Sequence, residues 1–263
     1  MNQEFIFYSS LLFVLGLILG SFANVLIYRI PFNRKGILIG RSFCTFCKKK
    51  IEWFDNIPLI SFLKLNGKCR NCKKNISPRY FFVELISGLS FVYIFINLNN
   101  FYEIIFYQIV FLILVMIIFI DLNHFIIPDE LNFTLIFLAL IHNFFIDFNF
   151  NFNENLNQSI IGGLVGFSVI WSIIFLYDKL KNIEAMGLGD AKLMAAFGLF
   201  FGWQSVPFIL FFASIIGLIS VFPSLINKKK NMRTEIPFGP SIICAAFIYF
   251  FKGQEIIEFL IVY

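Results

Sequence analysis

Residues 102–121, YEIIFYQIVFLILVMIIFID, form a predominantly apolar run that ends in an acid. A helix that spans a bilayer needs roughly 17 to 25 predominantly apolar residues. The run has that length, so it predicts a membrane-spanning helix. Whether the whole chain is a membrane protein depends on how often such runs recur.

Seven further runs of this kind occur along the chain. The eight predicted spans lie near residues 5–28, 80–98, 102–120, 131–148, 158–177, 191–202, 205–226 and 237–251. The sixth and eighth runs are short, so seven spans, or a sixth segment that is re-entrant, remain alternatives. The first run ends in NVLIYRIP rather than in a signal-peptidase pattern, and we interpret it as a retained helix.

The composition agrees with a membrane location. Of the 263 residues, 59% are hydrophobic and 14% are charged, and the mean hydropathy is +0.83. Soluble domains contain only about 45–50% apolar residues. The sequence therefore predicts an all-α polytopic membrane protein with about eight transmembrane helices.

The basic residues predict the orientation of the bundle. The segment 29–79 holds 13 of the 21 Lys and Arg residues against only two acids, and KKKNMR at 228–233 forms a second basic stretch. Loops 99–101, 149–157 and 203–204 contain no basic residue. Basic loops are cytoplasmic by the positive-inside rule. With eight helices, both termini then lie outside the cytoplasm.

The loop lengths predict three parts of the chain. Residues 1–28 form the first transmembrane helix, and residues 29–79 form a cytoplasmic domain inserted between the first two helices. Residues 80–263 form the remaining transmembrane domain.

Four cysteines in the segment 29–79 predict a metal site. They form two Cys-x-x-Cys pairs with 21 residues between the pairs, at positions 44, 47, 69 and 72. Two such pairs complete a tetrahedral zinc site with four protein ligands, which makes the zinc structural. Neighbouring Lys and Arg residues favour the thiolates. Paired disulfides are the alternative, and a reducing cytoplasm disfavours them.

Two acids lie at the predicted cytoplasmic boundary of the bilayer. Asp121 ends the third apolar run, and Asp190 opens the sixth within GLGD at 187–190. Asp190 alone could be a helix cap, and Asp121 alone could be an interfacial residue. Carboxylates at such a depth are costly and mark functional sites. Two that share a site divide one proton between them and activate water, which predicts an aspartyl hydrolase.

Five blocks of the chain carry a resemblance to a known family. They are GSFANVLIYRIP (20–31), RSFCTFCKKKIEWFDNIPLISFLKLNGKCRNCKKNISPRYFFVEL (41–85), IDLNHFIIPDELN (120–132), GLGDAKLMAAFGLFFGW (187–203) and PFGPSI (237–242). In this order they resemble the type IV prepilin peptidases, bacterial inner-membrane aspartyl proteases of the GxGD class. The resemblance covers nearly the whole chain.

The resemblance implies a catalytic pair, Asp121 and Asp190. Asp129 belongs to the same block as Asp121, but its Pro-Asp context predicts a cap on the fourth helix and so a supporting role. It implies that the substrates are prepilins and pseudopilins, which are cut where their basic leader meets the cytoplasmic face of the membrane. It also implies a second reaction, methylation of the new amino terminus by S-adenosylmethionine, with Gly67 and Lys68 tied to methyl transfer. The predicted partners are these proteins and the lipid bilayer, with no nucleic acid.

Glu84 is a further polar residue within an apolar run. It lies one turn into the second predicted helix, after SPRYFF. We predict that it pairs with Arg79 and fixes the entry of that helix.

Two other classes of protein are compatible with single features of the chain. A proton-coupled transporter also carries intramembrane acids, but it predicts acids near the bilayer midplane and broken helices related by a repeat. A non-catalytic zinc-bearing membrane scaffold explains the cysteines but needs no paired acids. The peptidase explains both features.

Overall fold

The computed structural model of the protein describes residues 3–32, 42–98, 100–145, 156–181, 186–226 and 237–262. Regular structure within these ranges is helical, apart from isolated antiparallel β-bridges in the segment between the first two long helices. The predicted all-α class is therefore confirmed. The basic stretch at 228–233 lies outside the described residues.

Nine α-helices occur in the described ranges. They are α1 (Gln3–Arg29), α2 (Ile60–Lys64), α3 (Arg79–Asn97), α4 (Phe101–His124), α5 (Asp129–Phe145), α6 (Leu156–Lys181), α7 (Leu188–Phe201), α8 (Ser205–Ile226) and α9 (Gly239–Val262). All but the short α2 coincide with the eight predicted apolar runs. Short 3₁₀ turns follow α1 (Ile30–Phe32) and precede α2 (Trp53–Asn56).

Five of the described helices are long and apolar enough to cross a membrane, judged by length and composition. They are α1, α3, α4, α6 and α8. The apolar part of α9, Gly239–Gly253, is shorter. These spans support the predicted multi-pass membrane architecture.

Helix α7 is short because it lies in the interior of the protein. Its 14 residues extend about 21 Å at 1.5 Å per residue, less than the roughly 30 Å of a hydrocarbon core. Ten of its residues between Asp190 and Phe200 are buried. An interior helix finds partners for its polar ends in the surrounding protein, so it does not need the full length of a lipid-exposed span.

The chain forms two compact units, the first through Met116 and the second from Ile117. In the first unit, α1 packs along α3. Asn24 of α1 is 1% exposed and donates from Nδ2 to the Tyr80 carbonyl oxygen at 3.1 Å. Such a bond between helices replaces the water that the buried amide has lost.

In the second unit, α7 packs against α5, α6, α8 and α9. The closest approach joins α6 to α7. A Cβ atom on Gly162 would lie 2.2 Å from the Gly198 carbonyl oxygen, so a larger residue would force the two backbones apart. Small residues permit this approach between membrane helices, and it fixes the position of α7 and of the acid in its first turn.

Candidate active site and metal centre

Asp121 lies in the last turn of α4. The predicted span stopped at residue 120, but the helix continues to His124. It ends where Phe125 adopts a left-handed φ of 56° and donates its N–H to the Asp121 carbonyl oxygen at 2.9 Å, a common way for a helix to end. The Asp121 side chain is 4% exposed, and its Oδ2 accepts a hydrogen bond from the Gly239 N–H at 2.9 Å.

Asp190 lies in the first turn of α7. Its Oδ2 accepts a hydrogen bond from the Gly187 N–H at 3.2 Å, and its own N–H donates to the Gly187 carbonyl oxygen at 3.1 Å. These two bonds close the start of the helix, where a negative charge is stabilised by the helix dipole. Capping is thus one role of Asp190. The residue is also 9% exposed, which is unusual for a carboxylate that only caps a helix.

Ile127 packs against two glycines that lie close to the acids. Ile127 lies in the link between α4 and α5. A Cβ atom on Gly189 would lie 2.9 Å from the Ile127 Cβ, and one on Gly239 would lie 2.8 Å from the Asp121 Oδ2 and 3.0 Å from the Ile127 Cδ1. Neither position has room for a side chain. Ile127 thus links Gly239, which contacts the Asp121 carboxyl group, to Gly189, the residue before Asp190.

Helix α5 supports this site through two side chains. Asn132, which is fully buried, donates from Nδ2 to the Gly189 carbonyl oxygen at 3.1 Å. Asp129 Oδ1 forms an ion pair with Lys192 Nζ at 2.6 Å. Both contacts join the start of α5 to the start of α7. The sequence suggested a supporting role for Asp129, but it gave no sign of Asn132.

The four cysteines meet in the first unit. The ligand atoms of Cys44, Cys47, Cys69 and Cys72 all lie within 4.8 Å of one another, and all four are free thiols. The Sγ atoms of Cys44 and Cys72 are 3.9 Å apart. A tetrahedron with Zn–S bonds of about 2.3 Å has sulfur atoms about 3.8 Å apart. The arrangement fits one zinc ion and does not contain the alternative disulfides.

The two Cys-x-x-Cys pairs are built alike. Cys44 accepts from the Lys48 N–H at 3.0 Å, and Lys48 has a φ of 59°. Cys69 accepts in the same way, through its carbonyl oxygen, from the Lys73 N–H at 3.0 Å, and Lys73 has a φ of 57°. Each pair is therefore a tight turn that directs two thiols to one point.

Two of the four thiols differ in how easily they ionise. Burial raises the pKa of Cys44, but hydrogen bonds from the Cys47 and Phe46 backbone outweigh it and lower the pKa to about 7. The Lys74 backbone N–H lowers the pKa of Cys72, but burial and the neighbouring thiols prevail and raise it to about 11. Cys44 therefore ionises easily, whereas burial and the neighbouring thiols oppose the ionisation of Cys72. A bound dication would remove that opposition.

Gly67 and Lys68 directly precede the second cysteine pair. Gly67 has a φ of 65°, which favours glycine, and donates its N–H to the Phe62 carbonyl oxygen at 2.9 Å. Lys68 forms the β-bridge with Asn75. Both residues thus belong to the first unit with the cysteines, whereas Asp121 and Asp190 belong to the second.

Glu84 binds a different partner from the one predicted. It is 8% exposed on α3, and its Oε2 accepts a hydrogen bond from the Leu59 N–H at 2.9 Å. The Ser21 side chain is a second hydrogen-bond partner. Glu84 therefore ties the segment before α2 to α3, and the predicted pairing with Arg79 is replaced by this contact. A bond to a backbone amide 25 residues away has no signal in the local sequence.

Comparison with known proteins agrees with this architecture. Residues 14–98 match the bacterial peptidase A24 N-terminal domain, and residues 108–222 match the type IV leader peptidase family. No solved structure matches the chain significantly.

Several curated relatives are similar over almost their full length. A protein of Vibrio cholerae is 36% identical over 93% of this chain and 97% of its own. Proteins of Legionella pneumophila (32% identical, 94% and 92% covered) and Aeromonas salmonicida (31% identical, 95% and 92% covered) are similar as well. Each of the three is named prepilin leader peptidase/N-methyltransferase.

The two matched domains and the shared name of the relatives define the class of protein as a membrane-embedded leader peptidase. The chain belongs to the type IV leader peptidase family. The family predicted from the five sequence blocks is thereby confirmed.

Proposed function

We propose that the protein cleaves the basic leader from prepilins and pseudopilins at the cytoplasmic face of the bacterial inner membrane, with Asp121 and Asp190 as the catalytic pair. We also propose that it methylates the new amino terminus with S-adenosylmethionine. Residues 29–79 serve the second reaction as a zinc-binding cytoplasmic domain between the helix at 1–28 and the peptidase domain at 80–263. The names of the relatives support both activities.

The peptidase proposal rests mainly on the burial of two acids beside glycines. Because these glycines have no side chain, they leave space for the carboxyl groups. Asp121 ends one helix, Asp190 begins another, and Gly239 contacts the Asp121 carboxyl group. A transporter predicts acids in the middle of its helices. Acids at helix ends agree better with a cut at the membrane boundary.

The proposed mechanism uses the pair as acid and base. Two carboxylates that repel each other share one proton at lower cost than they carry two charges. The charged member takes a proton from a water molecule that attacks the scissile carbonyl carbon. The protonated member donates its proton to the carbonyl oxygen. As the C–N bond breaks, the leaving amine takes the proton that the other member removed from water, and the hydroxyl of the intermediate returns a proton to the pair. Bonds from Gly239 and Gly187 hold the two carboxyl groups in place.

The proposed methyl transfer depends on the segment that carries the cysteines. Zinc bound by the four thiolates would fix the two tight turns, since metal binding and local folding are coupled. S-adenosylmethionine supplies a methyl group on a sulfonium centre. Lys68 would offer an ammonium group to the carboxylate of that donor, and Gly67 allows the left-handed turn that precedes Lys68.

Product masses test the proposed function. The purified enzyme in lipid vesicles is incubated with a candidate prepilin, with and without S-adenosylmethionine. We expect loss of the leader in both samples and one added methyl group only with the cofactor. An intact prepilin in both samples, with enzyme whose zinc content and elution show that it is folded, would overturn the peptidase proposal.

Gly239→Ala should slow cleavage strongly. The new Cβ would lie 2.8 Å from the Asp121 Oδ2 and 3.0 Å from the Ile127 Cδ1, so the carboxyl group must shift. A misplacement of about 1 Å costs on the order of 100-fold in rate. The measurement is the initial rate of leader removal by vesicle-embedded enzyme.

Gly217→Ala is the matched control for this variant. A Cβ at Gly217 on α8 would meet its nearest neighbour, the Ser241 Oγ, at 3.5 Å, which is an ordinary contact. We expect this variant to cleave at nearly the parental rate. If Gly239→Ala and Gly217→Ala cleaved at equal rates, the result would argue that catalysis does not depend on the position of the Asp121 carboxyl group.

Lys68→Ala should separate the two activities. The side chain lies on the cysteine-bearing segment of the first unit, and both proposed catalytic acids lie in the second unit. We expect leader removal to stay near the parental rate while methyl transfer falls, because the point charge for the donor carboxylate is lost. Product mass reports both outcomes. Parental methylation would refute the role of Lys68, and loss of cleavage would refute the division of labour.

A further inference from the structure

A group of apolar side chains is exposed outside the candidate membrane spans. Trp53 is 77% exposed on the 3₁₀ turn before α2, and Ile60 and Leu63 of α2 are each 62% exposed. Phe54 and Ile57 between them are partly exposed. We call residues 53–63 the apolar segment. Clustered exposed apolar side chains mark a surface that something covers.

The apolar segment lies beside the part of α3 where a candidate span begins. The Leu59 N–H reaches Glu84, and the ring of Phe62 lies 5.5 Å from the ring of Phe81. The span itself begins at Arg79. Glu84 is five residues further along the helix, about 7.5 Å at 1.5 Å per residue. The apolar segment is therefore level with the first turns of a membrane helix.

The exposed side chains of α3 at this level are apolar too. Phe82 is 51% exposed and Ile86 is 39% exposed, and both lie within the candidate span. Helices that lie in a membrane interface bury their apolar face by roughly 5–10 Å. The segment lies about 7.5 Å along α3 from the first residue of the candidate span, a distance of the same order. Ile60 and Leu63 are therefore exposed at a level of α3 where its own exposed side chains are apolar.

A strained turn fixes the segment at this level. Leu59 has φ 58° and ψ −50°, and the Ile60 N–H donates to the Pro58 carbonyl oxygen at 2.6 Å. This is the classic γ-turn conformation, which is rare and strained. The buried Glu84 carboxylate accepts from the amide at its centre. A strained turn that persists is held by its surroundings, so α3 itself sets the position of α2.

The charges around the segment suit an anionic surface. The segment 29–79 contains 13 basic residues and two acids, Glu52 and Asp55. Hydrogen bonds from Arg70 hold the pKa of Asp55 below its ordinary value, so this acid stays charged and paired. Basic residues next to a membrane helix attract anionic lipid, and Trp is enriched at the boundary between lipid and water.

We propose that residues 53–63 are an interfacial anchor that inserts Trp53, Ile60 and Leu63 into a lipid leaflet containing anionic phospholipid. The leaflet is the one in which α3 begins. The anchor holds the cysteine-bearing segment, with Lys68, against the membrane surface. This inference rests on the first unit alone and does not depend on the proposed catalytic acids.

Fluorescence quenching in vesicles tests the anchor. Full-length enzyme with Trp171→Phe and Trp203→Phe retains Trp53 as its one tryptophan. It is placed in vesicles of phosphatidylcholine and phosphatidylglycerol that carry bromine at a shallow or a deep acyl position. We expect shallow bromine to quench Trp53 more than deep bromine does, and aqueous iodide to quench it little. The matched control retains only Trp171, within α6, which deep bromine should quench more.

Two outcomes would overturn the anchor. One is strong quenching of Trp53 by iodide with none by brominated lipid, which would leave the segment in water. The other is protection from iodide only after prepilin is added, which would assign the surface to the protein substrate. As a second check, Ile60→Ser with Leu63→Ser should shift Trp53 quenching from lipid to iodide while zinc content is unchanged. Unchanged lipid quenching in that variant would refute the role of the two side chains.

Discussion

Asp121→Asn and Asp190→Asn should each lower the rate of leader removal by on the order of 10³-fold or more, which is the scale of losing one member of a catalytic unit. An amide has nearly the shape of the carboxyl group, so the bonds from Gly239 and Gly187 can still form. It cannot share the proton of the pair or act as a base. The measurement is the initial rate of leader removal, followed by product mass, in vesicle-embedded enzyme.

Asp129→Asn is the control for these two variants. Asp129 is an acid in the same region, and its partner is Lys192 rather than the acidic pair. An exposed ion pair contributes roughly 1 kcal/mol or less, so we expect a loss of no more than about tenfold. Complete loss of cleavage in folded Asp129→Asn enzyme would require a different catalytic pair.

Replacement of any one cysteine of the cluster by Ser should remove the zinc. The parental enzyme should contain one ion per chain, held by Cys44, Cys47, Cys69 and Cys72. Without the ion, the tight turns lose the tie that joins them, so limited proteolysis should cut residues 42–78 faster while the membrane helices stay protected. Elemental analysis and timed proteolysis measure the two effects.

Cys244→Ser provides the matched control for the zinc site. This cysteine is also a free thiol, but it lies on α9 and outside the cluster. Its replacement should leave the zinc content at one ion per chain. Parental enzyme that is fully active and contains no zinc would refute the metal site.

The sequence predicted the helices well because each depends on a local property. Each of the eight predicted apolar runs coincides with a helix, and the cysteine spacing correctly predicted that the four thiols meet. The predicted ends of the helices were less accurate. The apolar run of α4 stops at residue 120, but the left-handed Phe125 lets the helix include Asp121 and end at His124. Helix α9 likewise continues beyond the predicted residue 251 to Val262.

Contacts between distant segments could not be predicted from local patterns. The bond from Asn132 to Gly189 joins residues 57 positions apart, and the bond from Gly239 to Asp121 joins residues 118 apart. Both follow from how the helices pack. The burial of α7 could not be predicted either, because its sequence is like that of any short apolar helix. The two acids were predicted because charge inside an apolar chain is itself a local signal.

The most direct test of whether Asp121 and Asp190 act as one pair is the single-turnover cleavage rate of the double variant Asp121→Asn/Asp190→Asn. It is measured beside the two single variants, with long incubations so that slow residual rates are recorded. We predict that the double variant cleaves as fast as the slower single variant, because the first substitution already removes the pair. A double variant slowed by the product of the two single losses, or a single variant that cleaves at the parental rate, would contradict a shared site.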